Sequence, residues 1–458
     1  MTKKTRGEVT RRRFLAGATG AFASVQILPR HVLGGAGYAS PNEKLNIAGI
    51  GVGGMGFQDL QEMATDNIVA LCDVDWNNAA KAFKEFPRAK RYKDYRVMLD
   101  KQKDIDAVMI ATPDHTHAVI TMAAMNHGKH VYTEKPLTLT VYESRRLTEA
   151  AREAGVVTQM GNMGHAYEGA RLVCEWIWDG AIGDVYEVHA FTPHPVTSAG
   201  IPRPADTPPM PEGLEWDLWL GPAPYRPYHP LYHPGQWRIW WDFSTGTLGD
   251  MGPHIFDHVK WALKLGPPES VEATYSHFVP PGELTWEPPK NLDSYPRAVL
   301  AHYRFPAREG FPPLKLTWYD GGLRPPRPEE LEEGRRMGDQ FGGALYVRTK
   351  GKILTGSHGA NGARIIPESK MQEYERPPET IPRCPNGHRQ EWIAACKGQG
   401  TTGSNFDFAG PLTETALLGN ISIRTDEKLY WDSENFRFTN SDKANGHLHY
   451  EYREGWTL

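Results

Sequence analysis

The sequence is poor in cysteine, in clustered charge and in long apolar runs, and each shortage removes a class of protein. Four cysteines, Cys72, Cys174, Cys384 and Cys396, are scattered through 458 residues without a Cys-x-x-Cys pair. That spacing excludes a zinc ribbon, a thioredoxin-like site and a disulfide framework, and predicts small buried apolar side chains. Lysine and arginine (51) nearly balance aspartate and glutamate (55), with no dense basic run outside the N-terminus. A nucleic-acid backbone therefore has no electrostatic footprint to recognise. No stretch has the length and apolarity of a membrane-spanning helix. The length exceeds one ordinary domain of roughly 100–200 residues, so two or three are expected.

The N-terminus differs in kind. "TRRRFLAGATGAFASVQIL" sets Arg11 and Arg12 before Phe14 and Leu15, then continues as a short, glycine-interrupted, mildly apolar run. It resembles a twin-arginine export signal, which implies passage through the twin-arginine translocase and a periplasmic or otherwise exported mature chain. The expected organisation is a signal and linker over 1–40, a dinucleotide-binding domain over 41–162, and a substrate-binding and oligomerisation domain over 163–458.

From Lys44 to Asn162, apolar runs ("LNIAGI", "NIVALC", "IDAVMIAT", "KHVYTE", "VVTQM") alternate with helical patterns such as "HAVITMAAMNHG" and "TVYESRRLTEAAREAG". Alternation of this kind predicts a doubly wound parallel sheet covered on both faces. A proline- and aromatic-rich segment follows over roughly 192–242, where regular structure cannot persist. In "PHIFDHVKWALKLG", Pro253 suits the first helical position and Gly266 the stop. Strand patterns such as "VLAHYRF" and "LKLTWY" dominate beyond Ser270, with helices at "GHRQEWIAAC" and "PLTETALLGNISIR". The fold class is α/β: a Rossmann domain followed by an α+β domain with a large, mostly antiparallel open sheet. Such a sheet makes a symmetric dimer or tetramer the expectation.

"IAGIGVGGMGFQDL" carries Gly51, Gly53 and Gly56 in G-x-G-x-x-G spacing, with Gly54 and Met55 between them. A second strand ends at Asp73 about 20 residues on, where a carboxylate accepts hydrogen bonds from an adenosine ribose. The glycines admit a pyrophosphate to backbone amides. Asp73 would repel a 2′-phosphate, which favours NAD over NADP, and Asp75 is the alternative ribose partner. Asp250 and His254, four residues apart around a helix start, have the spacing of an aspartate orienting a general-base imidazole. "HIFDH" (His254, Asp257, His258) and "HTH" (His115, His117) have a superficial metal-site look, but no further cluster completes a ligand set, and no metal is expected.

With "ATPDHTH" (Ala111–His117), "GKHVYTEKPL" (Gly128–Leu137), "GAIGDV" (Gly180–Val185) and "GTLGDMGPHIFD" (Gly246–Asp257) added to the glycine turn, the chain resembles the Gfo/Idh/MocA oxidoreductases over nearly everything after the signal. "WDLWLGPAP" (Trp216–Pro224) and "REGWTL" (Arg453–Leu458) are similar to exported bacterial members. The resemblance implies that Lys135 touches both nicotinamide ribose and substrate, and that His254 takes the hydroxyl proton. Glu134 reads as the partner that fixes the lysine or nearby backbone, while Thr112, Pro113 and His117 are expected beside the cofactor. Asp114 stands where the family often has asparagine. For a carbohydrate or polyol, Trp237, Arg238, Trp240 and Trp241 offer flat apolar faces and a cation, Arg238 foremost, with Tyr167 and Asn162 as further candidates. The expected activity is NAD-dependent oxidation of a sugar, sugar derivative or polyol with tightly held NAD. A redox-neutral NAD-dependent glycoside hydrolase or lyase is the alternative, and a non-catalytic sugar-binding protein a third.

Overall fold

Six short strands, apolar because both faces of a parallel sheet are covered, form the first layer of this computed structural model. The structure describes residues 43–458 apart from 194–199, 278, 280, 281, 283–285, 287–292, 309 and 349; the expected export signal over 1–40 lies outside the described residues. The strands are β1 (Asn46–Ile50), β2 (Asn67–Cys72), β3 (Lys90–Tyr92), β4 (Ala107–Ile110), β5 (His130–Thr133) and β6 (Thr158–Met160). Their order is β3-β2-β1-β4-β5-β6, parallel throughout. Order reverses beside β1, the switch point at which doubly wound sheets bind ligands. Register fixes which residues meet there: Ile50 is level with Cys72 and with Ile110, and Ile110 with Thr133. Gly51, Asp73, Ala111 and Glu134 therefore emerge together at one edge.

Helices α1 (Gly54–Met63), α2 (Ala80–Glu85), α3 (Tyr95–Lys101), α4 (Asp114–Asn126) and α5 (Val141–Ala154) cover this sheet. α5 shows why its sequence stops and starts where it does: Thr140 and Glu143 form a reciprocal capping box, and Gly155 ends the helix with φ 62°.

The second layer is a nine-stranded sheet built from β7 (Glu187–Phe191), β8 (Ser270–Tyr275), β9 (Val299–Phe305), β10 (Leu314–Tyr319), β11 (Gly343–Val347), β12 (Lys352–Gly356), β13 (Arg364–Ile366), β14 (Leu429–Asp432) and β15 (Arg437–Phe438). In the order β13-β12-β11-β7-β10-β9-β8-β14-β15, only the β7–β10 pairing is parallel. Its helices are α6 (Glu168–Trp178), α7 (Trp216–Leu220), α8 (Gly246–Leu263), α9 (Glu368–Glu373), α10 (His388–Cys396), α11 (Phe406–Thr425) and α12 (Asp442–Asn445). Val188, Ala301, Leu316, Trp318 and Ala344 turn inward to pack with residues of α8 and α11 in one core cluster.

The helix expected to open at Pro253 opens at Gly246, and Pro253 lies inside it. The proline removes one interior bond, but the start is fixed elsewhere: Gly246 takes φ 63°, and a Cβ there would meet the Tyr295 ring at 2.4 Å. The C-cap is Lys264 at φ 50°, so Gly266 is not the stop. α11 likewise begins ahead of Pro411, at Phe406, where Asn405 caps the Phe408 amide. Cys72 and Cys174 are buried as expected, whereas Cys384 and Cys396 are half-buried, and Cys384 Sγ lies 3.0 Å from Arg171 and 3.1 Å from Glu391.

From Leu45 the chain clusters as one compact unit, and α10 shows how the two sheets are joined. Trp392 and Ile393 enter the core of the first sheet, where each fully buried apolar side chain contributes about 1.5–3 kcal/mol. Arg389 of the same helix bonds Asp59 of α1 at 2.7 Å.

Candidate active site

The glycine turn is tied to its neighbours by backbone bonds. Gly51 donates to Cys72 O (2.9 Å), while Ala111 donates to Ile50 O (2.9 Å). At φ 75° and with Ala111 only 2.8 Å from any added Cβ, Gly51 admits no side chain. α1 has no side-chain N-cap, so its first-turn amides are left to a ligand, as a diphosphate requires. Gly51, Gly53, Gly54, Met55, Asp73, Thr112, Pro113, Glu134 and Lys135 all line one cleft above this turn; Gly56 lies beneath it, within α1. Asp73 accepts from the Val52 amide (2.9 Å) and the Asp75 amide (2.9 Å), which locks the turn to β2. Burial raises its carboxyl to about 6 against those hydrogen bonds. Asp75 is engaged with His233 Nε2 at 2.8 Å and does not line the cleft.

His117 does not itself line the cleft. Its ring lies fully buried beneath the floor, with Nδ1 2.7 Å from Pro136 O and Nε2 2.7 Å from Thr112 O. It couples the two turns that carry Thr112 and Lys135, a job no local pattern reveals. Asp114 is likewise buried, accepting from Ser244 Oγ (3.1 Å), Thr245 N (3.0 Å) and Thr245 Oγ1 (2.9 Å). Thr245 is the N-cap of α8, so Asp114 places a carboxyl at that helix's positive end.

Glu134 continues the ladder through its amide to Ile110 O (2.8 Å). Its carboxyl turns inward, with Oε2 3.3 Å from the Lys135 amide and Oε1 without a partner. Burial, reinforced by Asp59, raises it to about 8, despite the pull of Lys135 and Arg389. Lys135 follows, before Pro136, and its ammonium donates to Asp250 Oδ1 at 2.6 Å. Arg238 Nε approaches the same oxygen at 3.7 Å. Burial opposes ionisation of Asp250, but Lys135 and Arg238 together hold its carboxyl below the usual range.

The expected aspartate–histidine pairing is therefore corrected. Asp250 bonds Lys135 rather than His254, and Asp250 and His254 both lie inside α8 rather than at its start. His254 Nδ1 is buried with no partner. Its nearest ring is one that carried no sequence signal: His358, 4.0 Å centroid to centroid at 34°. His358 Nδ1 is 2.8 Å from Ser357 Oγ, which is 3.0 Å from both Asp339 carboxylate oxygens. A hydroxyl has one proton, and the carboxylate is its stronger acceptor. His358 must then donate from Nδ1, leaving Nε2 as a base. Burial, followed by repulsion from Lys135, lowers the His358 pKa; burial, followed by repulsion from His358 and Lys135, carries that of His254 well below its ordinary value.

Of the aromatic candidates, Trp237 and Arg238 line the cleft, the guanidinium 4.2 Å from the Trp237 ring centroid. Trp240 is fully buried and bonds Leu231 O, and Trp241 lines a different cavity. Asn162 spends its amide on Asp257 and Ser404. Tyr167 does not line the cleft; its Cβ lies 2.8 Å from where a Cβ on Gly359 would stand, against the His358 turn. The apparent metal motifs disperse: Asp257 bonds His165 (2.8 Å), His258 bonds Tyr346 (2.7 Å), and His115 contacts Phe243 and Trp219 carbonyls. Among the described residues no cluster of three or more His, Cys, Asp or Glu could hold a metal ion.

A strap from the second half roofs the cleft with Leu218, Trp219, His233, Pro234, Trp237 and Arg238. At one end it is pinned by Glu215 N to Val74 O (2.9 Å), Asn77 to Glu212 O (2.8 Å) and His233 to Asp75. Trp456 completes the roof, anchored by Arg453 on Asp217 and on Gly221 O. "WDLWLGPAP" and "REGWTL" are thus two halves of one cover.

The family model for an oxidoreductase family, NAD-binding Rossmann fold, matches residues 45–162, and its C-terminal alpha/beta partner matches 203–275. Residues 45–162 and 203–275 therefore match the two domains of the Gfo/Idh/MocA oxidoreductases. Inositol 2-dehydrogenase of Salmonella paratyphi B is 32% identical over 146 residues, 31% of this chain and 43% of that protein. Levoglucosan dehydrogenase of Pseudarthrobacter phenanthrenivorans is 28% identical over 203 residues, 44% and 43%. The chain thus matches less than half the length of either of these curated Gfo/Idh/MocA relatives. The fold of the WlbA dehydrogenase from Bordetella pertussis, solved with NADH and UDP-GlcNAcA, is shared at TM-score 0.57, 19% identity, and coverage of 85% of this chain and 99% of that one.

Proposed function

We propose that this chain is an exported NAD-dependent oxidoreductase acting on a sugar, sugar derivative or polyol hydroxyl, with its nucleotide held as a prosthetic group. The observation that carries the reading is the 2.6 Å Lys135–Asp250 contact, which joins the end of β5 to α8 at the edge of the NAD-binding cleft. Uncapped α1 amides, the glycine turn and Asp73 suit a diphosphate and an adenosine ribose. NAD held by these groups would supply the hydride acceptor.

The protein's own groups manage the proton and the pose. Lys135 and Arg238 donate to the substrate oxygens, and Asp250 holds the ammonium in place. Neutral imidazoles at His254 and His358 are the proton acceptors, with Asp339 and Ser357 setting the His358 tautomer. The strap and Trp456 support retention of the nucleotide. The half-buried polar residues Glu187, Lys315 and His302 of the second sheet support self-association into a dimer or tetramer.

A second reading is favoured by the second imidazole. Redox-neutral glycoside cleavage needs one base for the hydroxyl proton and another for the acidified C–H, and His254 with His358 supplies two. The test is to release nucleotide by denaturing purified protein, then incubate the native protein with polyols, sugars and glycosides. Stoichiometric NADH from an alcohol supports the dehydrogenase; glycoside hydrolysis without net NADH supports the neutral route. Absence of dinucleotide overturns the retained-cofactor reading.

A further inference from the structure

The turn that carries His358 is flanked by two exposed aromatic rings that the proton chemistry does not use. Phe341 meets the His358 ring edge-on, centroids 5.5 Å apart at 70°, one ring further out than His254 at 4.0 Å. Tyr167 packs on the next residue of the same turn, where a Cβ on Gly359 would stand 2.8 Å from the Tyr167 Cβ. Phe341 is 43% exposed and Tyr167 42%. His358 itself is half-buried, and Lys135 and Asp250 both act on its charge, so the turn borders the Lys135–Asp250 pair rather than a remote surface.

Phe341 is held in the open by the fold. Two-residue turn tips ordinarily carry Gly, Asn, Asp or Ser, and a ring left exposed there forgoes most of the stabilisation of burial. The tip here is Gln340–Phe341, closed by Asp339 N to Gly342 O (2.8 Å). It is seated on β7 by Gly342, at φ 123°, where a Cβ would meet Phe191 O at 2.0 Å. The Phe341 amide donates to Asp339 Oδ1 (2.8 Å), and the same carboxylate accepts from the Ser357 amide (2.9 Å) and hydroxyl (3.0 Å). One aspartate thus fixes the aromatic ring and, through Ser357, the imidazole, so ring and base keep a set spacing before any ligand arrives.

Sugar rings present flat C–H faces that stack on exposed aromatic side chains. A ring whose hydroxyl reaches the imidazoles is already engaged by Lys135 and Arg238, and Phe341, beyond His358, is placed to meet what is attached to it. Resting on the sugar reading of that site, we propose that Phe341 and Tyr167 form a second sugar subsite and that the substrate is a glycoside of at least two rings. The first ring reacts at Lys135, His254 and His358, and the second lies against the two aromatics.

Calorimetric titration of the full-length, nucleotide-loaded protein with maltose, cellobiose and lactose, against glucose and galactose, tests it. At least one disaccharide is expected to bind about three- to tenfold more tightly than its component sugars, the worth of one aromatic contact. Phe341→Ala, at an exposed turn tip, should keep the melting temperature and lose that gain; Phe341→Trp should keep the gain, and Tyr167→Ala should remove part of it. A disaccharide bound no more tightly than its component sugars would overturn the proposal. So would a gain untouched by both alanine variants, or the absence of disaccharide binding at about millimolar concentration. NADH formation with the same sugars is a separate readout. A disaccharide that binds through Phe341 without NADH keeps the subsite and counts against the dehydrogenase, whereas NADH formed at equal KM from one-ring and two-ring sugars keeps the dehydrogenase and removes the subsite.

Discussion

At the scale of single residues, the candidate site is a set of charges whose partners decide what each can do. Lys135 is held by Asp250, so Lys135→Ala should cut turnover by about 10²–10⁴-fold while the nucleotide content of purified protein stays near that of the wild type. Equal loss of both would show that the lysine serves binding alone. The two imidazoles carry separable expectations. Burial and like charge push both below the usual value of 6.5, so each is the neutral base at neutral pH, and the acid limb of kcat/KM should fall below that value. His358→Asn should abolish that limb or move it, and Asp339→Asn, which only loosens the tautomer, should shift it with smaller loss of kcat; an unchanged profile in both would assign the proton to His254. Glu134 gives a stability test. With its folded carboxyl raised from 4.5 to about 8, the native state holds a proton that the unfolded chain releases, so its stability falls as pH rises across that interval. Glu134→Gln, which copies the protonated acid, should flatten the fall in melting temperature between pH 5 and 8.

At the scale of elements, the site depends on joints between pieces far apart in the chain. α8 carries Asp250 and His254, and its N-terminus is held by Asp114 from α4 through three hydrogen bonds. Asp114→Ala leaves buried donors without an acceptor at about 1–3 kcal/mol, so melting temperature should drop and KM should rise with displacement of Asp250. A drop in stability with unchanged KM would make the joint purely structural. These joints also explain what was legible in the sequence. Lys135 is readable because a strand end, a glutamate and a proline coincide, and Gly51 because strand, turn and helix follow in order. His358 lies in "TGSHGANG", which has no periodicity, and acquires meaning only when its turn folds over His254. Pro253 and Pro411 mislead for a related reason: helix interiors tolerate a proline when caps and tertiary contacts fix the start elsewhere. β3, a three-residue strand with two exposed positions, is below the reach of any pattern.

At the scale of the whole molecule, the first sheet, one strap and one tail share the cofactor cleft. The tail's contribution can be measured: Trp456→Ala and Arg453→Ala should each speed nucleotide loss during gel filtration, read as the dinucleotide-to-protein ratio. A ratio equal to that of the wild type would mean that the strap alone does the holding. The roof has a kinetic corollary for a resident nucleotide. In the proposed reaction, with that side shut, a retained reduced ring would be reoxidised through the same mouth by which the substrate entered. Electron donor and electron acceptor then take turns, each competing for the vacancy the other needs, and double-reciprocal plots against varied acceptor should run parallel.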